Sequence, residues 1–317
     1  MNIVFSGSIA FDHLMTFPGY FRDYIMSDNL ESLSLSFLTD TKTVHRGGNA
    51  PNIAYNHVLL GGKATVLGTV GQDFYDYGTW LDSVGVDTTG IVEIQDEFTA
   101  SFYATTDRNN AQIASFYPGA MSHSSKLNIS KLDFRPDLVV ISPDDPLAMR
   151  YRVQECQTMK IPYLYDPSQQ IVRLENDDLY EGITSAYMIV LNSYEFSLLK
   201  DKINIDEATI VDTGAVLVIT DGRHGSVIWS GDDCLEIPIF PEKEVCDPTG
   251  VGDALRGGFL RAHAAGLSLD LCGKVGALAA TYCLEHVGTQ NHSYTISQFV
   301  ERFRTHYDDE GVLDLLD

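Results

Sequence analysis

Positive charge is scarce in this sequence: 21 Lys and Arg stand against 44 Asp and Glu in 317 residues, a formal net charge of −23. Such a surface repels phosphate backbones and anionic bilayers, which argues against a nucleic-acid or membrane partner. An anionic metabolite would need a local positive trap set against the global field. Cysteine is also sparse. Cys156, Cys234, Cys246, Cys272 and Cys283 form no C-x-x-C and have no His at metal-ligand spacing. An odd, unpatterned count points to reduced thiols in the cytoplasm rather than a disulfide framework. No stretch approaches the ~18 apolar residues of a membrane helix. The opening Met-Asn-Ile-Val-Phe-Ser-Gly reads as a first β-strand, not a secretion signal. Several motifs are missing too. Gly62-Lys63 is followed by Ala64 and has no upstream Gly, so there is no P-loop. No G-x-G-x-x-G follows the first strand, which removes the main evidence for a dinucleotide-binding dehydrogenase, and neither G-x-S-x-G nor H-E-x-x-H occurs. There is no internal repeat and no low-complexity segment.

What remains is an ordinary globular composition, 44% hydrophobic and 21% charged. Short apolar runs recur at Ile3–Phe5, Ala64–Gly68, Leu138–Ser142, Pro162–Asp166, Met188–Asn192 and Val216–Thr220. Most are continuous rather than alternating, as strands covered on both faces require. Helical segments follow, among them Pro51–Leu60, stopped by Gly61-Gly62, and Gly252–Ala265, stopped by Gly266. This rhythm predicts an α/β protein with a mostly parallel, helix-covered sheet. Two stretches break it. Ser32–Phe37 alternates with period two, as a half-exposed strand does. Thr99–Tyr117 reads as a hairpin about Asp107-Arg108-Asn109-Asn110, and a turn centred near Asn109 makes Phe102 and Phe116 cross-strand partners. Together they predict a small sheet placed as a lid over a cleft. The acidic tail from Asp308 is expected to be a solvated end.

The strongest local signal is Asp247-Pro248-Thr249-Gly250-Val251-Gly252-Asp253-Ala254, opening an apolar helix. Its glycines allow close backbone approach, and the helix start directs unsatisfied N–H groups and the positive dipole end outward, a site suited to phosphate. Asp253 would compete with an anion there unless it faces a substrate hydroxyl and accepts its proton. An Asp in a first helical turn also needs no catalytic role at all. A second cluster, Arg46-Gly47-Gly48-Asn49-Ala50-Pro51-Asn52, opens another helix, where Asn52 offers donor and acceptor to a hydroxyl or serves merely as a helix-start residue. Asp12, after the first strand, suits the vicinal hydroxyls of a sugar or is a solvated acid. Asn192-Ser193-Tyr194-Glu195 places polar groups at the carboxyl end of a strand, where ligands of parallel sheets gather and Glu195 suits hydrated Mg²⁺. Thr220-Asp221-Gly222-Arg223-His224-Gly225 is a further strand-end turn compatible with nucleotide.

As a set, Gly47-Gly48-x-x-x-Asn52, Asn192-x-x-Glu195 and Asp247-x-Thr249-Gly250-x-Gly252-Asp253, in that order, resemble the ribokinase/PfkB family of small-molecule kinases over nearly the whole chain. Ser6–Phe17, Ser34–Leu38, Gln112–Met121, Asp166–Gln170 and Asp247–Ala254 look more closely like the bacterial adenosine kinases of that family. The resemblance implies a ribokinase-like three-layer α/β/α sandwich over residues 1–317, with a lid sheet from about 13–46 and 98–121. It implies that Asp253 is the catalytic base and that Gly250, Val251 and Gly252 form the anion hole. Asp12, Asn52 and Gly48 would hold the sugar; Ser8, Ser36, Phe102, Phe116, Gln169 and Gln170 would line the nucleoside pocket. Asn192, Thr220, Gly222 and Gly225 would contact the nucleotide, Glu195 would serve Mg²⁺, and Asp247 a monovalent cation such as K⁺. Val251, Pro51 and Arg256, the last standing where many members carry an aromatic residue, depart from the commoner residues of the family, and none removes a group the reaction needs.

The expected activity is therefore ATP-dependent phosphorylation of the 5′-hydroxyl of adenosine, giving AMP and ADP, as in purine salvage. Phe102 and Phe116 favour a flat purine over a free sugar, since base–aromatic stacking is worth about 1–3 kcal/mol; the same pair could also pack a lid or a dimer seam. Ribokinase, another sugar or nucleoside kinase, and a non-catalytic nucleotide-binding homologue are the alternatives. A homodimer through the lid is expected, because an open small sheet has unpaired edges.

Overall fold

The computed structural model describes residues 1–25 and 35–316. Among them are thirteen strands and nine α-helices. The strands are β1 (Asn2–Ser6), β2 (Ala10–Thr16), β3 (Thr41–Gly47), β4 (Lys63–Val70), β5 (Asp87–Glu93), β6 (Ala100–Thr106), β7 (Gln112–Tyr117), β8 (Leu138–Ile141), β9 (Tyr163–Tyr165), β10 (Met188–Asn192), β11 (Val216–Thr220), β12 (Ser226–Ser230) and β13 (Asp233–Ile237). The helices are α1 (Asn49–Leu59), α2 (Tyr75–Ser83), α3 (Pro146–Met159), α4 (Asn176–Thr184), α5 (Ser193–Ile203), α6 (Glu207–Val211), α7 (Val251–Ala264), α8 (Leu269–Leu284) and α9 (Ile296–Arg304).

Nine strands form one sheet in the order β13-β12-β11-β10-β9-β8-β1-β4-β5, parallel from β5 to β11 and antiparallel at the β11–β12–β13 end. The continuous apolar runs are explained by the two faces. Ile3, Phe5, Leu138, Val140, Met188, Val190, Val216 and Val218 pack with α1, α2, α7, α8 and α9. Their alternates Val4, Val139, Ile141, Ile189, Leu191 and Leu217 pack with α3, α4, α5 and α6. Burying each such side chain contributes about 1.5–3 kcal/mol, more than the ~1 kcal/mol span of strand propensity. The result is the expected three-layer ribokinase-like sandwich. No described helix is long and apolar enough to cross a membrane.

The second sheet has four strands in the order β3-β2-β6-β7, with β2 and β6 parallel and both outer pairs antiparallel. The hairpin forms as its sequence predicts. Asp107 Oδ1 accepts from the N–H groups of Asn109 at 2.8 Å and Ala111 at 3.0 Å, closing the turn. Phe102 and Phe116 are direct cross-strand partners.

Two expectations fail. Of the stretch Ser32–Phe37, Ser32–Ser34 lie outside the described residues, and Leu35–Phe37 form no strand. There the Phe37 ring packs on Phe17, Phe21 and Tyr24 at centroid distances of 4.9, 5.0 and 6.0 Å, so an aromatic cluster replaces the period-two pairing. The C-terminal segment is not a solvated end. Arg304 Nε and Nη2 donate to the two carboxylate oxygens of Asp309 at 2.7 and 2.9 Å, while Leu313 and Leu316 are fully buried. A paired acid and two apolar residues three apart dock what acidity alone would leave in water.

Candidate active site

α1 and α7 cross where Gly257 faces α1. A Cβ at Gly257 would stand 2.5 Å from Asn56 Cβ and 2.6 Å from the Ile53 carbonyl, so only glycine permits this approach. The crossing sets the start of one helix against the start of the other. Asn49 Nδ2 donates to Asp253 Oδ1 at 3.1 Å, and Asn52 Nδ2 donates to Oδ2 at 2.9 Å. Asp253 is buried; desolvation raises its pKa, opposed by the Arg256 guanidinium and the two amides, and the net shift is upward. A carboxylate with raised proton affinity at the mouth of a parallel sheet has the character of a general base.

The turn before α7 takes the form its glycines suggest. Gly250 caps the helix at φ +79°, where a side chain would also strike Thr289 Cγ2 at 2.7 Å, and no side chain caps the first turn. The N–H groups of Gly250 and Gly252 are thereby left to an anion, while Val251 N already reaches the Pro248 carbonyl at 3.4 Å. Asp247 stands behind this turn. Its Oδ1 accepts from Thr249 N at 2.9 Å and its Oδ2 from Gly288 N at 3.0 Å. Burial alone would raise its pKa, but these bonds outweigh it and hold the carboxyl below its usual range, so it stays anionic beside any cation.

Asp12 lies on β2 of the small sheet rather than on a loop. His45, Asp12, Phe102 and Phe116 form one cross-strand rung, so their side chains share a face. Burial pushes the Asp12 carboxyl up to about 6; His45 opposes this, and the charges of Asp247 and Asp253 add to it. Phe102 is half-buried and Phe116 is 48% exposed.

Apart from Gly48 and Ser36, the remaining candidates sit at the carboxyl ends of the parallel strands. Ser8, after β1, exchanges 3.3 Å contacts with Asn49 through its hydroxyl. Gly48 caps α1. Asn192 and Glu195 form a capping box at α5, in which the Asn192 side chain accepts from Glu195 N and the Glu195 side chain from Asn192 N, each at 2.8 Å. Glu195 also accepts from Ser168 Oγ at 2.8 Å. One hydrogen bond on each oxygen leaves lone pairs for hydrated Mg²⁺, which commonly needs few protein carboxylates. Among the described residues no group of three or more His, Cys, Asp or Glu could hold a metal ion. Thr220 is the strand partner of Asn192, and the following turn with Gly222 and Gly225 is tied to α5 by a 2.7 Å bond from Ser193 Oγ to Asp221. Gln170 is buried with its Oε1 unpartnered, and Gln169 is exposed beside it. Ser36 is exposed in a stretch without regular structure.

Sequence reasoning missed several members of the site. Asn49 was visible in the glycine cluster but unassigned. Gln290 gave no signal: its Nε2 lies 2.9 Å from Asn52 Oδ1 and 2.6 Å from the Tyr77 hydroxyl, while its Oε1 accepts from Trp80 Nε1 at 3.2 Å. It orients the Asn52 amide so that the nitrogen faces Asp253. Arg256, noted only as a departure from the family pattern, forms a buried ion pair with Asp166.

The sequence pattern of the pfkB family of carbohydrate kinases matches residues 22–296. The chain belongs to that family. A nucleoside kinase of Methanocaldococcus jannaschii is 29% identical over 287 residues, covering 90% of this chain and 94% of that protein. The Burkholderia thailandensis nucleoside kinase in complex with inosine superposes with a TM-score of 0.87 at 32% identity, covering 97% of this chain and 99% of its own. Ribokinase of Bacillus subtilis is 25% identical over 307 residues, 95% of this chain and 98% of that protein. As a pfkB-family kinase, the chain is a phosphotransferase with an alcohol acceptor, of the nucleoside and sugar kinase kind.

Proposed function

We propose that the chain is an ATP-dependent purine-nucleoside kinase that phosphorylates the 5′-hydroxyl of adenosine, giving AMP and ADP. The observation that carries this reading is the rung of Asp12, Phe102 and Phe116 on one face of the small sheet, opposite a buried Asp253 at a helix start. Two aromatic faces beside a carboxylate match a ribose carrying a flat base, while a free sugar would leave both rings without a stacking partner. Ser8, Gln169 and Gln170 complete the pocket in this reading, with Ser36 joining only if its exposed stretch folds over. The unpartnered Gln170 Oε1 suits a donor on the base edge. Inosine is the second acceptor we propose, supported by the complexes of the B. thailandensis enzyme with inosine and with ADP-inosine.

Asp253 would take the proton of the 5′-hydroxyl as that oxygen bonds to the γ-phosphorus and the bond to the β-γ bridging oxygen breaks, releasing ADP. The N–H groups of Gly250, Val251 and Gly252, with the α7 dipole, would hold the charge on the transferring phosphoryl oxygens. Asp12, Asn52 and Gly48 would fix the ribose, while Asn192, Thr220, Gly222 and Gly225 would contact the nucleotide. Mg²⁺, held through Glu195 and water, supplies charge neutralisation at the phosphates, and Asp247 would line a site for K⁺. Closure of the small sheet would exclude water as a competing acceptor. We also place the protein in the cytoplasm, in keeping with its free thiols, as a homodimer through the small sheet, whose outer face exposes Val44, Tyr103 and Ile113.

The test is ADP release with Mg²⁺ and K⁺ present, comparing adenosine, inosine, guanosine, ribose and fructose at equal concentration. Preference for adenosine, with inosine second, is expected; preference for ribose or fructose overturns the nucleoside reading. Asp253→Asn is expected to retain adenosine binding and lose at least about 100-fold in kcat. Near-normal turnover in that variant would sink the assigned base.

A further inference from the structure

We propose that Arg256 is a positioning residue, clamped by Asp166 so that its charge and its spare guanidinium nitrogen fix the Asp253 carboxylate and the first turn of α7. Arg256 follows Asp253 by three residues and so shares its helix face. Its Nη2 donates to Asp166 Oδ1 at 2.9 Å, and its Nε stands 2.8 Å from Oδ2 as a close ion-pair contact without hydrogen-bond alignment. Both partners are buried, Asp166 completely. The third nitrogen, Nη1, lies under the anion site: a Cβ at Gly252 would stand 2.8 Å from it. Asp166 in turn opens the segment carrying Ser168, whose hydroxyl bonds to Glu195 at the start of α5. One ion pair thus joins the helix that carries the base to the helix assigned to the nucleotide.

Stability does not explain the pair, because a buried ion pair is commonly no more stabilising than apolar residues of equal volume. The charges around Asp253 do explain it. Asp12 acts on it from β2, Asp166 from the segment after β9 and Glu195 from α5, with Asp247 behind the turn; the Cys283 thiol of α8, the Tyr77 hydroxyl of α2 and the amides of Asn49 and Asn52 on α1 are neutral neighbours. Within this set Arg256 is the cation that opposes the upward pull of burial on the Asp253 carboxyl. The inference rests on the kinase reading for its purpose, but not for its test.

The experiment uses the full chain labelled with ¹³C-carboxyl aspartate, the Asp253 signal assigned with Asp253→Asn, and follows its titration without any substrate. Arg256→Gln is expected to raise the Asp253 midpoint by about one to three units and to lower kcat about 100-fold, with acceptor KM little changed. Arg256→Lys, which keeps the charge but loses the fork, is expected to restore the midpoint and not kcat. Should Arg256→Gln fail to fold, the neutral pair Asp166→Asn/Arg256→Gln replaces it with the same expectation. An unmoved midpoint, or a folded double variant with wild-type kcat, overturns the proposal. Absence of turnover in the unmodified chain would defeat the kinase reading instead, and the midpoint would still decide this one.

Discussion

In the proposed reading, Asp12 would serve binding at the expense of folding. Its carboxyl, pushed up to about 6 by burial and by Asp247 and Asp253, is charged at neutral pH in a place that resists charge. A carboxylate whose folded pKa exceeds its unfolded value of 3.8 weakens the fold as pH rises past that unfolded value, and the full cost stands above the folded one. Asp12→Asn is therefore expected to raise the thermal midpoint at pH about 7.5 by at least about 2 °C, a gain that shrinks as pH falls through the folded value of about 6 and is gone only well below the unfolded value of 3.8, where the carboxyl is protonated in both states. Binding of nucleoside should weaken in the same variant. Differential scanning fluorimetry across pH checks the first half and calorimetric titration the second; an unchanged or lower midpoint at pH 7.5 refutes it. Asp12 was legible as a candidate because it follows the first strand, yet its neighbours were not. Asp247 and Asp253 are brought to it only by the tertiary fold, as Gln290 is brought to Asn52 across 238 residues.

Among the elements, the crossing of α1 and α7 sets the contacts of Asp253, the proposed base. Gly257→Ala would force the two helices apart at the Ile53 carbonyl, drawing Asn49 and Asn52 back from Asp253. A displacement near 1 Å is expected to lower kcat by about 100-fold, with a clear fall in thermal midpoint. A variant with wild-type turnover would show that the crossing tolerates the methyl group. The central strands were readable because residues alternate between two apolar layers, which makes each run unmistakable: Val4 faces one layer, Ile3 and Phe5 the other. The edge strands β5, β12 and β13 were not, since Asp87–Glu93 and Asp233–Ile237 have few buried positions and mixed polarity. The alternating Ser32–Phe37 stretch misled for a related reason. Period-two spacing records only which side chains share a face, and Phe37 finds its partners in Phe17 and Phe21.

At the scale of the molecule, the excess of acid remains to be set against an anionic phosphate donor. With a net charge of −23, the long-range field opposes ATP, while the α7 start attracts it only at close range. The Debye length falls from about 30 Å at 0.01 M to about 8 Å at 0.15 M, so salt should screen the repulsion before it reaches the short contacts. The KM for ATP is expected to fall over that range when choline chloride, which adds no K⁺, sets the ionic strength. The KM for uncharged nucleoside should stay constant. A rising KM for ATP would mean that the local trap dominates at every distance. The two sheets also divide the labour unequally. Asp12, Phe102 and Phe116 belong to the four-stranded sheet, whereas Asp253, Glu195 and the Gly250–Gly252 turn belong to the nine-stranded body. Under the proposed assignment, substitutions on the smaller sheet would sample new acceptors while the phosphoryl-handling half stays intact, which would make this architecture permissive to divergence: a lineage could change what it phosphorylates without relearning how.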